Sequence, residues 1–221
     1  MSDRLREAPT PRTRLVVRVL LMLSAPLVPG CNLIESIVLQ TAPGTEKVSA
    51  EFNRLPGKTA LVYVWVDAET KWAHPKVRLD LAAYLSEYLE KNVKDVTVAD
   101  YYLVEDYLEK ANSFDVNLDK LARHFGADMV VHLSVYRFSL RDQGMHHFYR
   151  GRLGASVEVH DLSRPNEPQE RIPLEDAEVA VPEEGVVGLA NTTPAQIRQM
   201  TYYAFTEEVG RKFHDYERAL D

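Results

Sequence analysis

Blocks of apolar residues along the chain predict strands and helices in a mixed order. Residues 60–66 form a continuous β-branched and aromatic run, which is typical of a strand buried on both faces. We therefore expect Trp65, inside this run, to be almost fully buried. Apolar residues then recur at helical spacing over residues 75–91, and residues 96–99 predict a short second strand.

Capping residues indicate where the later helices begin. Asp100 and Asn117 each precede an apolar stripe at helical spacing, and their side-chain oxygens can accept hydrogen bonds from first-turn N–H groups. Gly126 is placed to end the second of these helices. The pair Thr193-Pro194 predicts the start of the longest helix.

Three strands are predicted between these helices. The apolar phase of residues 127–142 changes near Val135, which predicts a bulge there. Residues 153–159 alternate as in a half-buried antiparallel strand, and residues 172–181 predict an edge strand after a turn at Pro165-Asn166. The order β-α-β-α-α-β-β-β-α predicts an α/β (α+β) domain over residues 59–221, a mixed sheet of about five strands covered by helices.

The first thirty residues follow the plan of an export signal. Basic residues up to Arg18 precede a ten-residue apolar run, residues 19–28, which is too short to span a bilayer. The small residue Gly30 ends this region, and the only cysteine of the chain, Cys31, follows it. We predict a signal peptide over residues 1–30, cleaved between Gly30 and Cys31.

Val28-Pro29-Gly30-Cys31 resembles the lipobox of bacterial lipoproteins: an aliphatic residue, a small one, Gly or Ala, then Cys. Pro29 departs from the usual Ala or Ser. The resemblance implies diacylglycerol on the Cys31 sulfur and acylation of the new amino terminus, which together give stable membrane anchoring. The alternative is an unmodified cysteine after an ordinary cleaved signal. Asn32 replaces the aspartate that retains lipoproteins in the inner membrane, so the outer membrane is favoured.

Charge and turn residues describe the rest of the chain. Five of the 26 basic and two of the 33 acidic residues lie in the leader, which leaves a net charge of −10 for residues 31–221. A domain that acidic repels phosphate backbones, so we expect no nucleic-acid partner. Residues 31–58 contain two Pro-Gly pairs without sustained periodicity, and we interpret them as the lipidated amino terminus and a flexible tether.

Residues 121–131, a helix running through Gly-Ala-Asp into a strand, resemble the core of the TolB amino-terminal-like superfamily, which includes LpoB-like and CsgG-like envelope lipoproteins. The resemblance implies a domain without shared catalytic residues. It supports a fold more than a function.

Histidines and carboxylates offer no recognised catalytic or metal motif. His146 and His147 are neighbours, which point to opposite faces of a strand, and His124, His132 and His160 are far apart in sequence. We therefore expect no metal and no cofactor, and interpret His132 as a hydrogen-bonded structural residue in a core strand.

The remaining acidic residues have structural interpretations. Asp67 ends the first strand, where open α/β sheets often bind ligands, but no Gly-rich loop follows it. We expect Asp128 to bond to the backbone, and the apolar loop at residues 185–190 to pack on its own domain. A solvated face that discourages edge pairing is the expected role of Glu175, Asp176, Glu178, Glu183 and Glu184.

The leading hypothesis is a non-enzymatic lipoprotein, anchored through Cys31 and facing the periplasm, whose domain binds another envelope protein. One alternative is a lipid-anchored cell-wall hydrolase. Another is a secretion-complex subunit resembling CsgG, but arginines interrupt the predicted hairpin at residues 127–162, which disfavours a membrane barrel.

Overall fold

The computed structural model describes residues 44–111, 116–142, 144, 147–164, 169–188 and 192–220. The chain divides into two compact units, and residues 47–218 form the larger one. The smaller unit contains the two ends of the chain, and within it the Leu220 N–H donates to the Gly44 carbonyl at 2.8 Å. Cys31 and the whole predicted leader lie outside the described residues.

The described chain contains ten strands and five α-helices. The strands are β1 (Thr45–Val48), β2 (Thr59–Val66), β3 (Thr97–Val98), β4 (Met129–Ser139), β5 (Phe148–Tyr149), β6 (Gly151–Asp161), β7 (Glu170–Pro173), β8 (Ala177–Val181), β9 (Val187–Gly188) and β10 (Tyr216–Ala219). The helices are α1 (Ala68–Ala73), α2 (Val77–Asn92), α3 (Tyr101–Ala111), α4 (Leu118–Phe125) and α5 (Pro194–Gly210), with a 3-10 turn at Arg211–Phe213.

The central sheet has six strands in the order β3-β2-β4-β6, with β7 and β8 both paired to the outer side of β6. β2 runs parallel to β3 and β4, whereas β6 is antiparallel to β4, β7 and β8. The predicted α/β class with a mixed sheet is confirmed. The sheet has six strands rather than about five, since the predicted edge strand at residues 172–181 is interrupted at residues 174–176 and forms two strands.

The two faces of the sheet pack against different helices. Buried residues of β2, β4 and β6 such as Val62, Leu133 and Val157 contact α2 and α5 on one face, which we call the closed face. On the opposite face, which we call the open face, Leu61 and Val130 pack against α3 and α4. Because successive strand residues point to opposite faces, both faces of β2 are apolar, as its continuous hydrophobic run predicts.

Most of the predicted helix boundaries are confirmed by their caps. The Asp100 carboxylate accepts hydrogen bonds from the N–H groups of Tyr102 and Leu103, and Asn117 caps α4 through Lys120 N–H. Gly126 ends α4 in the left-handed conformation, with φ of +65°. A reciprocal capping box between Thr193 and Gln196 starts α5.

The predicted bulge in β4 is also confirmed. The pairing with β6 shifts between Val135 and Arg137, which leaves Tyr136 as the extra residue. The Tyr136 ring lies over Gly154, where a Cβ atom would approach within 2.7 Å of it. Gly154 therefore makes room for the bulged side chain.

Two expectations need correction, on Trp65 and on the tether, and one helix was not predicted. Trp65 is 43% exposed, because it lies beyond Leu61 and Tyr63 on the open face, where the apolar cover of α3 and α4 thins out. The segment 68–73 forms α1, which the sequence pattern did not predict. Residues 44–58 are not a free tether: Phe52 and Leu55 are buried in the core, and the Phe52 N–H donates to the Lys212 carbonyl at 2.8 Å. The turn predicted at Pro165-Asn166 lies outside the described residues.

None of the helices in the described part of the chain combines the length and the apolar composition that a bilayer crossing requires.

Candidate functional site

An aromatic cleft of about 730 Å³ opens where β2 leads into α1. Tyr63 and Trp65 line it from β2, and Trp72 and Pro75 line it from α1 and the turn that follows. Trp72 is 87% exposed, so its indole is held almost entirely in solvent. Two large indoles this exposed on one face mark a surface able to bind an apolar ligand.

Asp67 shapes this cleft through the backbone. Its carboxylate accepts hydrogen bonds from the Thr70 N–H at 2.8 Å and from the Thr70 hydroxyl at 2.9 Å. These bonds lower the pKa of Asp67, because they favour the ionised carboxylate. The residue at the end of the first strand therefore caps α1, the helix that carries Trp72.

A polar cluster formed by His132, Glu158 and His160 lies on the same face of the sheet. His132 of β4 is directly opposite Glu158 of β6, and His160 is two residues further along β6, so all three side chains share the open face. One potential ligand atom from each side chain lies within 4.8 Å of the others. The Tyr63 ring packs against His132, with ring centroids 5.1 Å apart, so the cluster and the cleft are neighbours.

The two imidazoles are oriented by partners on their outer sides. The Ser134 hydroxyl lies 3.1 Å from His132 Nε2, and the Gln169 amide lies 2.7 Å from His160 Nδ1. The inner nitrogens, His132 Nδ1 and His160 Nε2, face Glu158 Oε2 at 3.8 and 3.5 Å. Both inner nitrogens are buried without a well-formed hydrogen bond to a described residue.

Burial sets the charge of the cluster. It lowers the pKa of His132 to about 4, with the neighbouring His160 acting in the same direction, and it also lowers the pKa of His160. Hydrogen bonds from Arg171 hold the pKa of Glu158 below its usual value, although burial opposes them. At neutral pH the cluster therefore presents two neutral imidazoles and one carboxylate, which can hold a divalent metal ion.

The other residues considered from the sequence as candidates for chemistry do not join this cluster. Asp128 Oδ2 accepts a hydrogen bond from the Thr59 N–H at 3.0 Å, as expected. His124 stacks on Tyr107 with ring centroids 4.5 Å apart, and His147 is exposed, while His146 lies outside the described residues. Within the loop 185–190, β9 pairs with β5, so that part packs on its own domain as expected.

The acidic residues near the last strands form no paired-carboxylate arrangement among the described residues. Glu178 forms an ion pair with Arg137, and the carbonyl of Glu183 accepts a hydrogen bond from Arg150. Glu175, Asp176 and Glu184 are exposed. These positions agree with the expected solvated face.

Sequence reasoning missed the cluster because its residues meet only through strand pairing. His132 and Glu158 are 26 positions apart, and no short motif reports their antiparallel register. Glu158 and His160 were visible as an i, i+2 pair on one face of a strand, which supplied two of the three side chains.

Comparisons with known proteins found similar solved structures but no matching family. No protein-family model matches it, and no curated protein matches it. Similar solved structures include a PelC dodecamer from Paraburkholderia phytofirmans, with 12% identity, 77% of this chain and 98% of that chain covered, and a TM-score of 0.41. Lipoprotein GNA1162 from Neisseria meningitidis gives 17% identity, 68% and 96% coverage and a TM-score of 0.39. The hypothetical protein CT253 from Chlamydia trachomatis gives 13% identity, with 71% of this chain and 97% of that chain covered, and a TM-score of 0.40. These values are too low to assign the chain to a family.

Proposed function

We propose that this chain is a non-enzymatic lipoprotein of the bacterial envelope, anchored through Cys31, whose domain binds another envelope protein at the aromatic cleft. The structural observation that carries the binding role is the exposure of Trp72 and Trp65, at 87% and 43%. Tryptophan is enriched among the residues that dominate protein–protein binding energy.

The anchor rests on the sequence. The short apolar run, Gly30 and the single Cys31 follow the pattern of a lipoprotein signal, and Asn32 favours the outer membrane. The likeness of residues 121–131 to the TolB amino-terminal-like superfamily supports the same class of protein. An anchored domain meets its partner at a high local concentration, so a modest intrinsic affinity is sufficient.

The lining of the cleft defines the chemistry of the partner segment. Its centre is aromatic, and exposed Lys71 and Glu109 contribute one charge of each sign. Neither forms a salt bridge with a described residue, whereas the third charged residue of the lining, Arg78, is paired with Glu105. The expected partner is a protein segment that combines apolar side chains with charged residues of both signs.

The geometry around Ser134 supports a non-enzymatic role. In space, His132 lies between Ser134 and Glu158, as the histidine of a serine-hydrolase triad lies between its serine and its carboxylate. However, His132 Nδ1 lies 3.8 Å from Glu158, which is beyond hydrogen-bond distance. Arg171 also holds the Glu158 carboxylate. Ser134 lies in the middle of a strand paired on both sides, so ladder hydrogen bonds occupy the local backbone N–H groups that an oxyanion hole needs.

The anchor is tested by metabolic labelling with a clickable palmitate analogue. The wild-type chain should incorporate the label and partition with membranes, and Cys31→Ser should abolish the labelling. An unlabelled wild-type chain would show that the lipoprotein assignment is wrong.

The binding role is tested by placing a photocrosslinking amino acid at position 72 in cells, with position 203 as the matched control. Tyr203 is also an exposed aromatic residue, but it lies on α5, away from the cleft. We expect a discrete protein adduct from position 72 only. The partner, identified by mass spectrometry and purified, should bind the double variant Trp65→Ala/Trp72→Ala at least 10-fold more weakly and bind Tyr203→Ala unchanged.

Several outcomes would contradict the proposal. Adducts only to lipid, to glycan or to a second copy of this chain would replace the heterologous protein partner. Equal binding by the double variant and Tyr203→Ala would exclude the cleft. Release of soluble fragments from purified cell wall by the wild-type chain, but not by Ser134→Ala, would establish the hydrolase instead.

A further inference from the structure

We propose that His132, Glu158 and His160 form a binding site for a divalent transition-metal ion of the zinc type. The site lies on the open face of the sheet, where β4 pairs with β6, and it is independent of the proposed partner binding. Two imidazole nitrogens and one carboxylate oxygen are a ligand set that zinc uses in proteins.

The distances fit this assignment. Ligand atoms about 2.1 Å from a tetrahedral zinc ion are separated from each other by about 3.4 Å. Glu158 Oε2 lies 3.5 Å from His160 Nε2 and 3.8 Å from His132 Nδ1, and no pair in the set exceeds 4.8 Å. The separation still to be closed by side-chain rotation is therefore at most about 1.4 Å.

The inner nitrogens have no other evident task. Within the described part of the chain, both are buried without a well-formed hydrogen bond, a costly state for polar atoms in a protein interior. The outer nitrogens, in contrast, have partners: Ser134 at 3.1 Å and Gln169 at 2.7 Å. When the Ser134 hydroxyl accepts the His132 Nε2–H, the lone pair of His132 Nδ1 points inward. The Gln169 atom nearest His160 Nδ1 is the amide nitrogen, so a half-turn of that amide brings its oxygen to this position, where it accepts the His160 Nδ1–H and leaves the Nε2 lone pair inward. Both groups are then placed as second-shell partners of metal-binding histidines.

The strands hold the three side chains in place. His132 and Glu158 are direct cross-strand partners in a ladder that runs continuously from Met129 to Val135. Their backbones therefore need no rearrangement to bring the ligands together. The side chains are only 10–17% exposed, which leaves a narrow opening through which an ion enters and through which a water molecule completes the coordination.

Arg171 is the group that opposes the ion. Its guanidinium donates two hydrogen bonds to Glu158, one to each carboxylate oxygen. A metal ion on Oε2 competes with the Arg171 Nε–H for that oxygen, and Arg171 keeps its second bond to Oε1. The Arg171 side chain is 66% exposed, so it can turn into solvent when the ion binds.

The test is zinc binding by the full-length protein, purified in detergent and stripped with a chelator. Titration with Zn²⁺ against a competing chromogenic chelator should show one tight site per chain. His132→Gln, His160→Gln and Glu158→Gln should each weaken the affinity at least 10-fold. Zn²⁺ should raise the Tm of the wild-type protein and have a smaller effect on these three variants.

Two matched variants separate loss of a ligand from a general disturbance of the sheet. Arg171→Ala alters the same surface but keeps all three ligands, so it should bind Zn²⁺ at least as tightly as the wild type. The double variant His146→Gln/His147→Gln removes two histidines that are consecutive in sequence and are not among the proposed ligands, and it should leave the affinity unchanged. If it abolishes binding while His132→Gln does not, the proposed site is wrong.

A measurement on the wild-type protein keeps the proposal testable if a variant fails to fold. Among the seven histidines, ¹⁵N imidazole signals of two, His132 and His160, should shift on addition of one equivalent of Zn²⁺. Shifts confined to other histidines, or no uptake of Zn²⁺ by the wild type, would overturn the proposal.

Discussion

The closed and open faces of the central sheet are built from the same strands but differ in what covers them. On β4, alternate residues Val131, Leu133 and Val135 are buried against α2 and α5, whereas His132 and Ser134 between them point to the open face. On the open face, α3 and α4 cover Leu61 and Val130 but leave Trp65 in a cleft and Glu158 partly exposed.

The closed face therefore contributes most of the stability, and the open face carries the polar side chains available for chemistry. Burial of apolar area is the dominant favourable contribution to folding, and the closed face contains most of it. Polar side chains are tolerated on the open face because they retain partial contact with solvent and hydrogen-bonding partners. Substitutions on the two faces should therefore affect stability unequally.

Phe205→Ala should lower the free energy of unfolding by roughly 3–5 kcal/mol, because it removes a fully buried ring from the closed face and leaves a cavity. Chemical denaturation of the full-length protein measures the effect, and Phe205→Leu should cost less than half as much. A loss below about 1 kcal/mol would show that the closed face does not carry the stability.

Gly210→Ala should destabilise the closed face by about 1–3 kcal/mol through overpacking. A Cβ atom at Gly210 would lie 2.2 Å from the Tyr88 ring, so α2 and α5 would have to separate locally. Gly188→Ala is the control, since its Cβ would meet no atom nearer than 4.0 Å. In a double-mutant cycle, Tyr88→Ala should relieve part of the cost, and strict additivity would argue against the contact.

Asp67→Ala should lower the stability of α1 by about 1 kcal/mol, the usual effect of losing a helix amino-terminal cap. The loss should be concentrated in α1, so hydrogen exchange of its amide protons should accelerate more than exchange in β4. Asp67→Ser keeps a capping oxygen and should restore most of the protection. Uniform acceleration across the domain would mean that α1 is coupled to the closed core.

Trp72→Ala should change the free energy of unfolding by less than about 0.5 kcal/mol, because its side chain is almost entirely exposed. The same substitution contributes to the binding defect expected of the cleft. A cost approaching that of Phe205→Ala would contradict the division between the two faces, whatever the binding result.

The sequence was most informative where local chemistry determines the structure. Asp100, Asn117 and Thr193 could be assigned as caps because a cap depends on groups within one helical turn. The bulge near Val135 was predictable because it changes the phase of an apolar pattern. Each of these features depends on neighbouring residues alone.

Tertiary placement was not predictable in the same way. Trp65 belongs to a run that predicts burial, but its exposure depends on where the covering helices end. Phe52 and Leu55 lack a periodic pattern, yet they are buried because the chain passes beside Lys212 and Phe213. The candidate metal site needed the antiparallel register of β4 and β6, which no residue spacing reveals.

The bulge at Tyr136 determines how β4 tolerates insertions and deletions. Before it, odd-numbered residues such as Leu133 face the closed side, and after it Phe138, an even-numbered residue, packs against Tyr202 of α5. The extra residue therefore shifts the alternation of the strand by one position, so that the apolar residues after the bulge still face the closed side. Deleting the codon for Tyr136 would remove the bulge and leave Arg137 opposite Gly154 and Phe138 opposite Leu153, so both would keep their faces. Pairing Tyr136 in a regular ladder would instead turn Phe138 outward and Arg137 inward.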